Sequence, residues 1–228
     1  MQKRVVITGG NRGIGLDLTR EFLELDYKVI VIARDFRDFE FANLVECIEF
    51  DLSEVDKLDE LVKSIGVIDL LINNAGMMYG ISYKEYDNAK KEKLMKLNLE
   101  APIKLIEEFS KSMPKGSRIV NNASIAGQIG HPDIWYGMSK AALINATKSF
   151  AKIFEGNIII NAVAASPVET DMLDTIPKPR REAFLANTIT KRFALSQEVA
   201  KSIFWLATDA PEYMNGTCID INNGSYAR

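Results

Sequence analysis

The chain has 228 residues, 47% of them hydrophobic and 26% charged, with a formal net charge of -3. That length and balance fit one soluble domain with a sizeable core. They exclude a strongly basic nucleic-acid-binding surface, and no apolar run approaches the roughly 18 residues of a spanning helix.

In chain order, "MQKRVVITGG" enters a strand pattern at once, leaving no room for a signal peptide, and cytoplasmic residence is the expectation. "RVVIT" (4–8) is the first predicted strand, followed by a helix with Ile14, Leu18, Phe22 and Leu25 on one face. "KVIVIA" (28–33), "CIEF" (47–50) and "IDLLIN" (68–73) are the next three strands. Residues 35–46 are too few for a full helix between the second and third of these strands, so that connection is shortened. A long helical region runs from about Asp87 to Met113, with a bend expected near Pro102. "RIVNNA" (118–123) is the fifth strand, and a helix covers about Tyr136 to Phe154. "NIIINAV" (157–163) is the sixth, and residues 166–192 read as an irregular lid or binding loop rich in proline. A helix from about Gln197 to Thr208 leads to the last strand, "CIDI" (218–221).

Continuous Val/Ile runs separated by amphipathic helices indicate a parallel sheet covered on both faces. Right-handed crossovers make it a doubly wound, Rossmann-like three-layer α/β sandwich with seven strands, residues 1–228 forming a single catalytic and dinucleotide-binding domain. Cys47 and Cys218 lie in strand-like runs and read as buried free thiols. The single histidine, His131, has no second His or Cys nearby, so no metal site is expected.

"TGGNRGIG" (8–15) joins the first strand to the first helix, where glycines let a turn tighten against a pyrophosphate and the helix N-terminus offers free N–H groups. Its spacing is T-G-x-x-x-G-x-G, unlike the common G-x-G-x-x-G fingerprint. Asp51, Asn73, Asn74 and Ser124 fall at the carboxyl ends of other strands, where open parallel sheets bind ligands. Singly, Asp51 also reads as a helix cap and the asparagines as turn residues. Tyr136 and Lys140, four apart, share one helix face. A lysine charge at about 5 Å, at an effective dielectric of about 20, contributes about 3 kcal/mol, or about two pKa units, toward an ionisable tyrosine.

Taken together, "TGGNRGIG", "DL" (51–52), "NNAG" (73–76), Asn98 in "LNLE", "NNAS" (121–124), "YGMSK" (136–140) and "ETDM" (169–172) resemble the short-chain dehydrogenase/reductase family. The likeness spans nearly the whole chain and is greatest to 3-oxoacyl-[acyl-carrier-protein] reductases, with "FALSQEVAKSIFWLATDAPEYMNGTCIDINNG" (193–224) carrying much of it. The resemblance implies that Asn98, Ser124, Tyr136 and Lys140 are catalytic. Tyr136 donates a proton to the substrate carbonyl, Ser124 positions that oxygen, Lys140 also holds the nicotinamide ribose, and Asn98 orders a proton-supplying water chain. It implies a cofactor site of Gly9, Asn11, Arg12, Gly13, Ile14 and Gly15 in the turn. Arg34, Asp51, Leu52, Asn74, Ala75 and Gly76 follow at strand ends, then Tyr136 and Lys140, and finally Pro167, Val168 and Thr170.

Three departures from the family pattern stand out: Ala165 and Ser166 replace the usual Pro-Gly, Asn122 replaces a common second serine, and the 35–46 connection is short. An acid that selects NAD at the end of strand two is replaced by Ala33. Arg34 follows, Arg12 lies in the turn, and the two arginines suit a 2′-phosphate, so NADP(H) is expected over NAD(H). Asp35 either takes the acidic role or pairs with Arg34, and both arginines also read as solvent-exposed charges. The expected reaction is NADPH-dependent reduction of a 3-oxoacyl thioester. The alternatives are a small ketone, sugar or polyol as substrate, and a non-catalytic NADP sensor. Lys178, Arg180, Arg181, Lys191 and Arg192 suit an acidic acyl carrier protein or form a solvated face. Relatives imply a homotetramer packed through the helices at about 87–113 and 136–154; no nucleic-acid or membrane partner is expected.

Overall fold

The structure, a computed structural model, describes residues 2–226. Its seven strands are β1 (Arg4–Thr8), β2 (Lys28–Ala33), β3 (Glu46–Glu49), β4 (Leu70–Asn73), β5 (Ser117–Asn122), β6 (Ile158–Ala165) and β7 (Cys218–Ile221). All pair in parallel, in the order β3-β2-β1-β4-β5-β6-β7. The helices are α1 (Gly13–Glu24), α2 (Leu58–Ile65), α3 (Asn88–Met95), α4 (Ala101–Ser110), α5 (Ala126–Ile129), α6 (Ile134–Ile153), α7 (Lys178–Asn187) and α8 (Ser196–Thr208).

The unbroken apolar strands are explained by the two layers they touch. In β1, Val5 and Ile7 join one core with Leu18 and Phe22 of α1 and Val199 and Ile203 of α8. Val6 between them joins the opposite core, with Leu61 of α2 and Leu105 and Phe109 of α4. Alternate side chains thus point to opposite faces, and both faces are covered. Phe22 and Phe109 are fully buried, each stabilising the fold by about 2–3 kcal/mol. Arg118 ties β5 to α8 by donating to the carbonyls of Leu206 (3.2 Å) and Ala210 (2.7 Å) at the helix end.

The shortened connection between β2 and β3 is as expected, and three other expectations change. No helix joins β2 to β3; in its place Phe36, Phe39 and Phe41 form a small aromatic cluster, with Phe39 buried and Arg20 over the Phe41 ring. Because β3 is the outer strand and lacks that helix, Cys47 is exposed rather than buried, while Cys218 is buried. The bend expected near Pro102 is instead a π-helical turn at Lys96–Glu100 between α3 and α4, and Pro102 sits in the first turn of α4, where proline is tolerated. Residues 166–192 are also more ordered than expected, holding α7 and a 3₁₀ turn at Asp171–Thr175.

The strand order reverses direction between β1 and β4, whose carboxyl ends flank the crevice where doubly wound sheets bind ligands. No helix among the described residues is long and apolar enough to cross a membrane.

Candidate active site

A cleft of about 1160 Å³ opens at this switch point, at the upper end for a single small-molecule pocket and roomy enough for two molecules. Its floor is the turn after β1. Gly9 and Gly13 adopt φ of +64° and +52°, and a Cβ on Gly15 would lie 2.0 Å from the Gly9 carbonyl oxygen. The turn therefore closes on itself only with glycine at these points. Thr8 pins it to β4: its hydroxyl accepts from the backbone N–H of Asn74 and Ala75, both at 2.9 Å, and Asn74 Nδ2 donates to the carbonyls of Thr8 and Gly9. Asn11 Nδ2 donates to the Asp35 carbonyl at 3.0 Å, joining the turn to the end of β2.

Behind the cleft lies a chain of buried amides. Asn73 donates to Asn121 at 2.9 Å, and Asn121 to the Thr147 hydroxyl at 2.9 Å. Asn122, in the place of a second serine, donates to Asn74 Oδ1 at 3.0 Å. Asn98 lies in the π-helical turn and pairs twice with the Met77 backbone, accepting from its N–H and donating to its carbonyl, both at 2.8 Å. Its Nδ2 also reaches the Ser139 hydroxyl at 3.2 Å.

Tyr136 and Lys140 are both buried on one face of α6. Lys140 Nζ donates to the Asn122 carbonyl at 2.8 Å and stands 6.0 Å from the centre of the Tyr136 ring. The Ser124 hydroxyl donates to the Ala165 carbonyl (3.4 Å) and accepts from the Ala126 N–H (3.1 Å). The Ile125 N–H reaches the same Ala165 carbonyl, so β6 keeps its alignment here without the family's Pro-Gly. Asp133 caps α6 from full burial, accepting from the Tyr136 N–H (3.2 Å), the Tyr86 hydroxyl (2.7 Å) and the Gly80 N–H (2.9 Å).

The electrostatics correct one expectation. Burial pushes the Tyr136 phenol up from its ordinary value; Ser124 opposes the shift and the Asp133 carboxylate adds to it. Burial also brings the Lys140 ammonium down to about 8. Desolvation sets the direction, so Tyr136 holds its proton more tightly than a free tyrosine does.

Of the sequence-predicted cofactor and catalytic residues, all line the cleft except Gly15, which lies beneath the turn, and Asn98, which sits behind Met77. Arg12 lines the cleft mouth apart from Arg34. Its guanidinium pairs with Asp171 at 3.3 Å. Asp35 pairs with Arg37, not Arg34, and that hydrogen bond holds its carboxyl below the usual range. Arg34 lines the cleft with no carboxylate in ion-pair distance among the described residues. Asp51 is turned inward, accepting from the Ser53 N–H (2.9 Å) and hydroxyl (2.7 Å). Burial pushes its carboxyl up, but those bonds and the charges of Lys93 and Arg34 outweigh it and leave it lowered. Thr8, Asn121, Asp133 and His131 were not singled out from sequence for this site. Asp133 carried a usable signal, standing three residues before Tyr136 at a helix start.

A family model described as Enoyl-(Acyl carrier protein) reductase matches residues 9–225. The chain belongs to the short-chain dehydrogenase/reductase family. It is 31% identical to the 3-oxoacyl-[acyl-carrier-protein] reductase FabG of Thermotoga maritima over 97% of both chains. The solved structure of BdcA in complex with NADPH is 26% identical with a TM-score of 0.90, covering 97% of this chain and 93% of that one. A 4-hydroxyisoleucine dehydrogenase complexed with NADH matches at 26% identity and a TM-score of 0.90 over 100% of both chains. This short-chain dehydrogenase/reductase is thus an oxidoreductase dependent on a nicotinamide cofactor.

Proposed function

We propose that this enzyme reduces a carbonyl to a hydroxyl with NADPH. The observation that carries the reading is the buried Tyr136–Lys140 pair beside Ser124 in a cleft whose floor is the glycine turn. The glycine cradle that a single Cβ would fill suits a pyrophosphate, and Arg34 suits a 2′-phosphate. Asp51 and Leu52 would border the adenine, Asn74, Ala75 and Gly76 the riboses, and Pro167, Val168 and Thr170 the nicotinamide. When bound, the cofactor supplies hydride.

The chain's own part is the proton. Tyr136, whose proton burial retains, donates it from the phenol oxygen to the carbonyl oxygen, and the Ser124 hydroxyl holds that oxygen in line. Lys140 then faces a developing phenolate; a unit charge at about 6 Å and an effective dielectric of about 20 stabilises it by about 3 kcal/mol. Asn98 keeps the Met77 segment fixed beside the lysine and would order the water that reprotonates the site.

Kinship to enzymes named as 3-oxoacyl-[acyl-carrier-protein] reductases supports a 3-oxoacyl thioester, free or on an acyl carrier protein, as substrate. A small anionic carbonyl compound is the second reading, favoured by Arg180 in the substrate wall. Of the basic residues suited to a carrier protein, Arg181 and Arg192 are already paired with Asp174 and Glu198, which weakens that surface as a docking face. A homotetramer built on α3–α4 and α6 is supported by the exposed Ile134, Met138 and Ile153 of α6. The reading is tested by NADPH oxidation with a panel of 3-oxoacyl thioesters, ketones and sugars. Tight NADPH binding with no turnover on any of them would leave only a cofactor sensor.

A further inference from the structure

Among the described arginines, five pair with carboxylates: Arg12, Arg20, Arg37, Arg181 and Arg192. Arg4 and Arg118 donate to backbone carbonyls at helix ends and turns. Arg34 and Arg180 have neither kind of partner, and both line the cleft, one at each end. Arg34 stands at the end assigned to the cofactor's adenosine. Arg180 stands at the other.

Arg180 is half-buried in the first turn of α7, and its Nη2 lies 3.0 Å from His131 Nε2. A guanidinium only donates, so Nε2 accepts and the imidazole carries its proton on Nδ1. Nδ1 then donates to the Asp133 carbonyl at 3.2 Å. Burial holds the His131 ring below its ordinary pKa, and the Arg180 charge adds to the effect, so the ring is neutral. Its edge meets the Tyr136 ring, with centres 5.5 Å apart. One imidazole therefore separates the guanidinium from the proton-donating tyrosine.

This histidine orients Arg180 without neutralising it. The next residue shows the contrast: Arg181 pairs with Asp174 at 3.1 Å and donates to the Ile176 carbonyl at 2.7 Å, so it anchors the start of α7. Tying the helix down does not require Arg180. Met78, Ile125, Met172, Ile176 and Phe184 give the same cleft an apolar wall. A half-desolvated cation in such a wall is costly until an anion joins it by charge-assisted hydrogen bonds.

We infer that Arg180 is the anion-binding group of the substrate site, and that the substrate carries a carboxylate or phosphate that it grips while the carbonyl faces Tyr136. The inference rests on the carbonyl-reductase reading and narrows its substrate.

The test uses the full chain with NADPH and two matched pairs. One is acetoacetate against methyl acetoacetate, which differ in a carboxylate. The other is acetoacetyl-4′-phosphopantetheine against acetoacetyl-pantetheine, which differ in the phosphate. The native enzyme should favour the charged member of at least one pair, and that pair identifies the anion's source. Arg180→Gln should lower the charged-over-neutral ratio of kcat/KM about ten- to a hundredfold, chiefly through KM, and Arg180→Lys should retain part of it. An unchanged ratio in Arg180→Gln overturns the inference alone, because a merely structural loss would lower both members together. Should that variant fail to fold, Arg180→Lys and the native ratios decide: preference for the neutral member of both pairs overturns it. No turnover with any of the four sinks the carbonyl-reductase reading as well.

Discussion

Lys140 spends one of its three N–H donors on the Asn122 carbonyl, and burial brings its ammonium down to about 8. Reduction needs this charge and a protonated Tyr136, and burial keeps the tyrosine proton in place to higher pH. The group that switches first is therefore the lysine: below about pH 8 it is charged, and above it the charge is lost. kcat/KM for reduction should fall as pH rises through that value, and Lys140→Arg, whose charge persists, should move the limb upward. A limb unmoved by that change would assign it elsewhere. At the adenosine end, Arg34→Ala should weaken NADPH binding about ten- to a hundredfold while NADH binding hardly changes, and Ala33→Asp with Arg34→Ala should reverse the preference. Equilibrium titration with both cofactors measures this; equal binding by the unmodified protein contradicts it. At this scale residue identity was readable and pairing was not. Arg12 and Arg34 look equivalent in sequence, yet Arg12 reaches across to Asp171, 159 residues away in the chain, and no local pattern encodes that contact. The direction of the Tyr136 shift was hidden for the same reason, since burial belongs to the folded chain.

The β1–turn–α1 element depends on Gly15, where a Cβ would lie 2.0 Å from the Gly9 carbonyl oxygen. Gly15→Ala must force the turn open, costing about 1–3 kcal/mol. Melting should begin several degrees lower and NADPH affinity should drop; an unchanged Tm would mean that the turn has slack. The π-helical turn at Lys96–Glu100 positions Asn98 against the Met77 backbone. Asn98→Ala would leave a Met77 N–H and carbonyl unpaired, at about 1–3 kcal/mol, with turnover reduced more than cofactor affinity. Local patterns placed every strand and the main helices within a few residues. They misread 166–192, where Pro177 and Pro179 suggested a broken loop. Both prolines lie at the start of α7, the one part of a helix where a missing N–H is harmless. The short 35–46 connection was readable by length, whereas the Phe36–Phe39–Phe41 cluster that replaces its helix depends on packing against α1 and β2.

For the whole molecule, the doubly wound sheet was readable because strands buried on both faces must be apolar throughout, and right-handed crossovers leave few orders to consider. Assembly is different: Ile134 and Met138, one turn apart on α6, are 40% and 45% exposed, and nothing within one chain covers them. Light scattering at micromolar concentration should give a homotetramer, and a monomer would remove the role assigned to this face. The central claim is that one buried phenol, that of Tyr136 on α6, supplies the proton in the cleft. Single-turnover oxidation of bound NADPH by a reducible carbonyl substrate, compared between the native enzyme and Tyr136→Phe, tests it most directly. The variant should bind NADPH with nearly native affinity and transfer hydride about a hundred- to ten-thousandfold more slowly; a near-native rate in Tyr136→Phe would contradict the account.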